Sequence, residues 1–159
     1  MTWPEPVERV AAVLRDAAVD ARIEQFDDGA ATARDAARAV GCELSQIVKT
    51  IVLVCDGAFV LALVPGDCRA DERAVAAAVG AREVRSATAD EVRQATGFEP
   101  GGVAPFPQQA IALALIDRAL LAHSVVWVGA GTHTHMAALP PSDLARLAGA
   151  RPFDSGGGG

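Results

Sequence analysis

The sequence contains a single lysine in an unusual position. Thirteen of the 14 basic residues are arginine, whereas Lys49 lies in the otherwise apolar run 47–53. An ammonium group on a flexible stem beside apolar residues suits a phosphate, a carbonyl oxygen or a ribose hydroxyl. Lysine is also common at the exposed edges of β-sheets, where it discourages pairing with another chain. The pattern therefore predicts either a functional lysine or an edge-strand lysine.

A segment rich in glycine and proline, residues 97–109, is a second candidate. Its adjacent Gly101 and Gly102 would let a ligand approach the backbone closely and would leave N–H groups free to donate. The flanking prolines Pro100 and Pro105 stiffen the chain around them. Such clusters are often plain connectors, but long irregular segments inside a domain are frequently functional. The segment is interpreted as a ligand-binding loop, with a connector as the alternative.

Two histidines, His133 and His135, could share one face if they lie on a strand, and two imidazoles could then meet a metal ion. No third ligand follows at a familiar spacing, and the sequence has no HExxH or zinc-deaminase pattern. A surface turn or a contact with substrate is therefore favoured over a metal site.

The remaining motifs argue against covalent catalysis. The three cysteines are odd in number and have no CxxC spacing, which predicts reduced thiols, with Cys42 and Cys55 in the core. The sequence has no nucleophile elbow, phosphate-binding loop or dinucleotide fingerprint. Any reaction would depend on binding, oriented water and backbone donors.

Composition limits the class of protein. The chain has 159 residues, of which 51% are hydrophobic and 21% charged, as expected for one globular domain. The low aromatic content of 4% and the net charge of −6 disfavour base-stacking platforms and a broad basic face, so DNA is not expected as a partner. No apolar run reaches membrane-span length, and the acidic start lacks the features of a secretory signal. A cytoplasmic protein is expected.

Apolar spacing and capping signals predict the elements that would hold these residues. Asp56-Gly57 between two apolar runs predicts a β-hairpin. Helices are predicted at 4–21, 32–41, 71–79, 88–97 and 141–147, with a short one from Asp117, and strands at 23–26, 47–55, 58–64, 82–85, 110–116, 124–128 and 134–139. The expected fold is α/β, a mixed and partly rolled sheet with surrounding helices. One domain over 1–152 is expected, followed by a disordered glycine-rich tail over 153–159.

The ordered set of motifs resembles the YbaK-type aminoacyl-tRNA editing domains, which include free-standing deacylases and the editing insertion of bacterial prolyl-tRNA synthetase. The resemblance covers about residues 30–150. It rests on the run Thr32-Ala33, Ala36-Ala37 and Gly41, followed by Ile47-Val48-Lys49-Thr50, Leu61 to Asp67, Thr96 to Phe106, Gly129-Ala130-Gly131 and Pro141-Ser142-Asp143-Leu144.

This resemblance implies trans-editing, the hydrolysis of the ester that joins a small, wrongly attached amino acid to the end of a tRNA, here tRNA for proline. It implies Lys49, Gly101 and Gly102 as catalytic residues and no metal or cofactor. It also implies a substrate-binding set, namely Thr50, Phe98, Val103, Ala104, Pro105, Gly131 and His133. The implied partners are the acceptor end of a mischarged tRNA, with prolyl-tRNA synthetase or elongation factor as further candidates, and no membrane.

One departure from the family pattern and two alternative functions stay open. The family often has a basic residue and a second glycine where this chain has His133 and Thr134, so the amino-acid preference is not fixed. A non-catalytic module that binds an aminoacylated tRNA end or a small metabolite would share the same fold. A metal-dependent hydrolase that uses His133 and His135 is a third reading.

Overall fold

The computed structural model describes residues 2–26 and 32–155. In this part of the chain the α-helices are α1 (Glu5–Asp16), α2 (Ala33–Val40), α3 (Glu72–Val79), α4 (Ala89–Thr96) and α5 (Pro141–Ala148). The strands are β1 (Arg22–Gln25), β2 (Val48–Cys55), β3 (Ala58–Pro65), β4 (Val84–Ser86), β5 (Leu113–Asp117), β6 (Val126–Gly129), β7 (His135–Leu139) and β8 (Ala150–Phe153). Short 3₁₀ helices cover Leu44–Gln46 and Arg118–Ala122.

The strands form two sheets. The larger has the order β4-β2-β3-β5-β8, with antiparallel pairs on the β2 side and parallel pairs of β5 with β3 and β8. The smaller is antiparallel, in the order β1-β7-β6. A bridge between Ile47 and Trp127 joins the two sheets at the start of β2. The predicted mixed α/β domain is confirmed, and the partly rolled sheet is this pair of sheets.

The β2–β3 hairpin follows directly from the sequence. Both turn residues have positive φ, +49° at Asp56 and +84° at Gly57, as a two-residue hairpin turn requires. The Asp56 carboxylate also accepts hydrogen bonds from the backbone N–H groups of Arg82 and Glu83. These bonds lower the pKa of Asp56 and fix the two residues that precede β4. The turn fixes the register that pairs Cys55 with Ala58 and Lys49 with Val64.

Strand β3 lies at the centre of the core. Leu61 and Leu63 face the apolar cluster between the two sheets, whereas Val60, Ala62 and Val64 face the cluster under α3. Because side chains alternate across a strand, a strand buried on both faces is apolar throughout. The backbone pairing of β2 with this buried strand therefore holds β2, and with it Lys49, in a fixed position.

Two segments end at places that differ clearly from the prediction. Helix α1 ends at Asp16 instead of residue 21, because Ala18 has a positive φ of 54° that ends the helical path. Residues 150–153 form strand β8 on β5, and the Phe153 side chain is buried. The domain therefore continues past residue 152, and the tail does not begin at residue 153. Residues 156–159, where the rest of the predicted tail falls, lie outside the described residues.

None of the helices within residues 2–26 and 32–155 combines the length and the apolar character that crossing a membrane requires.

Candidate functional site

A cleft of about 210 Å³ opens where the two sheets separate. Strand β4 pairs only with residues 53–55 of β2, so the Val48–Thr50 end of β2 extends beyond it. The other walls are the start of α2, the glycine loop (residues 97–106) and the late turn (residues 129–134). The cleft is lined by Thr32, Ala33, Ala36, Ile47, Val48, Lys49, Thr50, Gly101, Val103, Gly129, Thr132, His133, His135 and Met136.

Five of the predicted site residues border this cleft and five do not. Those at the cleft are Lys49, Thr50, Gly101, Val103 and His133. Those outside its lining are Phe98, Gly102, Ala104, Pro105 and Gly131. The functional roles of the first set stay predictions, and the residues of the second set are buried beside the cleft or packed in the loops around it.

Lys49 lies at the boundary between two cavities. Its half-buried ammonium group donates a hydrogen bond of 2.8 Å to the carbonyl oxygen of Cys68. An ammonium group has three N–H donors, so two remain for a ligand. Lys49 also borders a second, more open cavity of about 440 Å³, together with Arg34 and Gly66. The lysine is therefore placed to contact a ligand that extends from the cleft into this cavity.

The edge-strand reading of Lys49 fits the fold only in part. Strand β2 is an inner strand, flanked by β4 and β3. Its Lys49 end is not covered by β4, and it faces the cleft.

Thr50 contributes a polar atom without a protein partner. Its buried Oγ1 has no hydrogen-bond partner among the described residues. A buried hydroxyl without a partner costs about 1–3 kcal/mol, so such groups usually meet water or a ligand. Because Thr50 lines the cleft, its hydroxyl can bond to a molecule bound there.

The two adjacent glycines have different roles. Gly101 is exposed at the cleft with a φ of +91°, and a Cβ there would have no atom within 4 Å. Its N–H has no acceptor among the described residues. The N–H of Gly102, in contrast, donates to the carbonyl of Glu99 at 3.0 Å. The expectation that both N–H groups are free for a substrate is therefore corrected, because only that of Gly101 remains free.

Gly102 instead joins the glycine loop to the late turn. A Cβ at Gly102 would lie 2.7 Å from Cα of Thr132 and 2.9 Å from the carbonyl oxygen of Gly131. Only a residue without a side chain allows this approach. Gly131 has a similar constraint on its other side, where a Cβ would lie 2.7 Å from the backbone of Pro6.

The other predicted loop residues belong to the core. Phe98 and Ala104 are each 2% exposed, and Pro105 is also buried. They anchor the glycine loop from inside, because the loop folds its apolar side chains under itself. Their prediction as substrate contacts is not supported by this placement.

The two histidines lie in different surroundings. His133 is exposed in the late turn, whereas His135 is the first residue of β7 and is buried, so they do not share a strand face. Nδ1 of His135 lies 2.5 Å from Oγ1 of Thr132 and 3.2 Å from Oγ1 of Thr134. Burial, with a smaller contribution from His133, lowers the pKa of His135 and favours the neutral ring. Within residues 2–26 and 32–155, no three His, Cys, Asp or Glu side chains cluster as metal ligands.

Sequence reasoning missed several residues that line the cleft. Of the two histidines, only His133 is in the predicted substrate-binding set, and the sequence carries no signal at Thr132 or Met136. Thr32 is the first residue of the helix predicted at 32–41, and it caps α2, since its Oγ1 accepts from the N–H of Asp35. The capping motif placed this residue correctly, but nothing in it indicates that the start of α2 faces a cleft.

Known proteins share this fold and these segments. The aminoacyl-tRNA editing domain family matches residues 27–147. A proline–tRNA ligase of Xanthomonas campestris pv. campestris (strain 8004) is 37% identical over 100 residues, which make up 62% of this chain and 18% of the ligase. The uncharacterized protein YwhH of Bacillus subtilis (strain 168) is 28% identical over 126 residues, 79% of this chain and 80% of YwhH.

A solved structure of a candidate trans-editing enzyme for prolyl-tRNA synthetase has a TM-score of 0.89 to this chain at 34% identity, covering 96% of this chain and 98% of that one. The chain spans less than a fifth of the length of the curated ligases that it matches first. The resemblance predicted from the sequence motifs is confirmed. Since the family match includes about three quarters of the residues, this chain belongs to the aminoacyl-tRNA editing domain family.

Proposed function

We propose that this protein is a trans-editing deacylase that hydrolyses the ester between a small amino acid and the terminal adenosine of a mischarged tRNA, with tRNA for proline as the substrate. The observation that carries the proposal is the cleft that is lined by both Lys49 and Gly101. Family membership supports the reaction class, and the similarity to prolyl-tRNA ligases supports the choice of tRNA.

The chemistry requires no protein nucleophile. An aminoacyl ester is activated, so a water molecule or a neighbouring ribose hydroxyl can supply the attacking oxygen. Attack on the carbonyl carbon forms a tetrahedral oxyanion, and the free N–H of Gly101 is available to stabilise it. The bond from carbon to the ribose oxygen then breaks, and the ribose oxygen takes a proton. The products are the free amino acid and an uncharged tRNA.

Lys49 and Thr50 have complementary tasks in this scheme. The two remaining N–H donors of Lys49 suit the phosphate or ribose of the terminal adenosine. The unpartnered hydroxyl of Thr50 lies in the same cleft and can bond to the aminoacyl group or its ribose. Both groups bind and orient the substrate, and orientation is a large part of the rate enhancement when no covalent intermediate forms.

The cleft favours a small amino acid. Its volume is about 210 Å³, and small or aliphatic side chains, among them Ala33, Ala36 and Val103, contribute much of its wall. In this proposal a larger side chain clashes with these walls once the tRNA end is bound beside them. Rejecting a smaller one by lost apolar contact gains only about 1–3 kcal/mol per methylene. We expect alanyl, cysteinyl or seryl esters to be hydrolysed and leucyl or phenylalanyl esters to be spared.

The proposal extends to the part of the tRNA that is bound and to the partner proteins. Because the chain carries a net charge of −6, we infer that it grips the acceptor end alone and not the whole tRNA. Prolyl-tRNA synthetase or elongation factor would deliver or receive that tRNA, in the cytoplasm where translation takes place.

The test is a panel of tRNAs for proline charged with alanine, cysteine, serine, leucine or proline, incubated with wild-type protein and with Lys49→Ala. We expect Lys49→Ala to lower kcat/KM on the preferred substrate at least tenfold, which corresponds to about 1.4 kcal/mol. Arg82→Ala is the matched control, because it removes one positive charge from the β2–β3 hairpin end, away from the cleft. Full activity of Lys49→Ala would contradict the assignment. Binding of mischarged tRNA without turnover would favour the non-catalytic module.

A further inference from the structure

Helix α1 lies outside the family match yet contacts two walls of the cleft. The match begins at residue 27, whereas α1 covers Glu5–Asp16 and is preceded by Trp3. Val7, Val10 and Leu14 are buried and fix the helix on the core. The residues at its start, however, reach the late turn and the glycine loop.

The first contact joins Trp3 to His135. The two ring centroids are 5.6 Å apart and the ring planes meet at 88°, an edge-to-face arrangement. His135 lines the cleft, and its Nδ1 bonds to Thr132 of the late turn. The His135 ring is therefore held by contacts to Trp3 and to Thr132, and Trp3 itself does not line the cleft.

The second contact places the backbone of α1 on the late turn. A Cβ at Gly131 would lie 2.7 Å from the carbonyl carbon and oxygen of Pro6. The same turn meets Gly102 of the glycine loop at a similarly close distance. The late turn is thus in close backbone contact with both α1 and the glycine loop.

The third contact ties α1 to the start of the glycine loop. The Arg9 guanidinium donates to the carbonyl of Gly97 at 3.0 Å and stacks over the Phe98 ring at 4.6 Å from its centroid. The carboxylate of Glu5 lies 3.1 Å from Nε of Arg9, one helical turn earlier. A single helix therefore fixes both the glycine loop and the late turn.

We propose that α1 is a brace for the cleft and that Trp3 is a positioning residue, which acts on the bound ester through His135. The inference rests on the proposed function, because it assigns Trp3 to that reaction. The glycine loop and the late turn contribute Gly101, Gly129 and Thr132 to the cleft, so its geometry depends on what holds the loop and the turn. A displacement of about 1 Å in such a site can lower a rate by about 10²-fold.

The test is a double-mutant cycle of Trp3→Ala and His135→Ala, measured as kcat/KM of deacylation at 25 °C. We expect each single variant to lose about tenfold and the double variant to be no slower than His135→Ala within about twofold, since one residue acts through the other. Trp3→Phe keeps an aromatic edge and should recover most of the rate. Glu8→Ala, on the exposed face of α1, is the control and should leave the rate unchanged.

A second measurement separates this inference from the proposed function. The chain has three histidines, so imidazole NMR spectra are simple, and the His135 signal is the one absent from His135→Ala. Loss of the Trp3 ring current should shift that signal in Trp3→Ala. Independent, multiplicative losses in the cycle, or an unaffected rate in Trp3→Ala, would overturn the positioning role. If the wild-type protein hydrolyses no ester, the proposed function fails. The contact between Trp3 and His135 is tested separately by NMR, and an unshifted His135 signal in Trp3→Ala would overturn it.

Discussion

The close approach of the glycine loop to the late turn makes Gly102→Ala an informative perturbation. The added methyl carbon would lie 2.7 Å from Cα of Thr132 and 2.9 Å from two neighbouring backbone atoms. Carbon atoms prefer a separation of about 3.5–4.0 Å, so the loop and the turn must move apart by about 1 Å. The atoms in conflict belong to the backbone, so no side-chain rotation relieves them.

Two consequences of this displacement can be measured. Forcing an extra methyl group into a packed region costs about 1–3 kcal/mol, which should lower Tm while leaving a cooperative transition. The displacement also separates Gly101 from the rest of the cleft, and about 1 Å of misplacement can cost about 10²-fold in rate. We therefore expect a modest loss of stability and a large loss of deacylation, measured by thermal melting and by single-turnover hydrolysis at 25 °C.

Gly80→Ala is the matched control. Gly80 ends α3 with a φ of +70°, and a Cβ there would have no atom within 4 Å. The left-handed conformation costs an alanine about 1–2 kcal/mol, so this variant should lose similar stability without altering the cleft. If Gly102→Ala melts like Gly80→Ala and also hydrolyses its substrate at the wild-type rate, the contact between loop and turn serves stability alone and the reasoning is refuted.

Two further perturbations probe the cleft and the fold. Thr50→Val removes the unpartnered hydroxyl at almost constant volume, so we expect unchanged or higher Tm together with a raised KM; a clear drop in Tm would show that the hydroxyl has a partner within the protein. Glu91 bonds to the Arg85 guanidinium and to the N–H of Thr88, which lowers its pKa from 4.5 to about 2. The folded state therefore holds this proton less tightly than the unfolded state, so the stabilisation is complete above pH 4.5 and is lost as the pH falls towards 2. Glu91→Gln should lower Tm at pH 7, and its difference from wild type should shrink across that range; a difference independent of pH would contradict the assigned cause.

Local signals predicted much of the secondary structure. Thr88 and Glu91 form the reciprocal capping box that their spacing predicts, and Asp56-Gly57 forms the hairpin turn. Gly41 and Gly80 end their helices in the left-handed conformation. Each of these features depends on hydrogen bonds or φ values within a few residues, so a short stretch of sequence contains all the information.

Features that depend on distant partners were not predictable in this way. Residues 150–153 have no strand signal of their own, and they become β8 because β5 offers a free parallel edge. Within the glycine loop, sequence alone could not separate Phe98 and Ala104, which turn into the core, from Val103, which borders the cleft. The family resemblance placed the loop correctly as a whole but could not assign a role to each of its residues.

The contrast between Gly101 and Gly102 explains why the roles of residues in this site cannot be predicted from their functional groups alone. The two residues are adjacent and identical in type, yet one has a free N–H at the cleft and the other packs against a turn about 30 residues later. Where catalysis relies on backbone and on a few polar side chains, the spacing of the walls becomes the chemically decisive quantity. That spacing is set by glycines that permit close approach and by a helix outside the matched region. Residues with no reactive group, such as Gly102 and Trp3, are therefore expected to matter to the reaction nearly as much as Lys49.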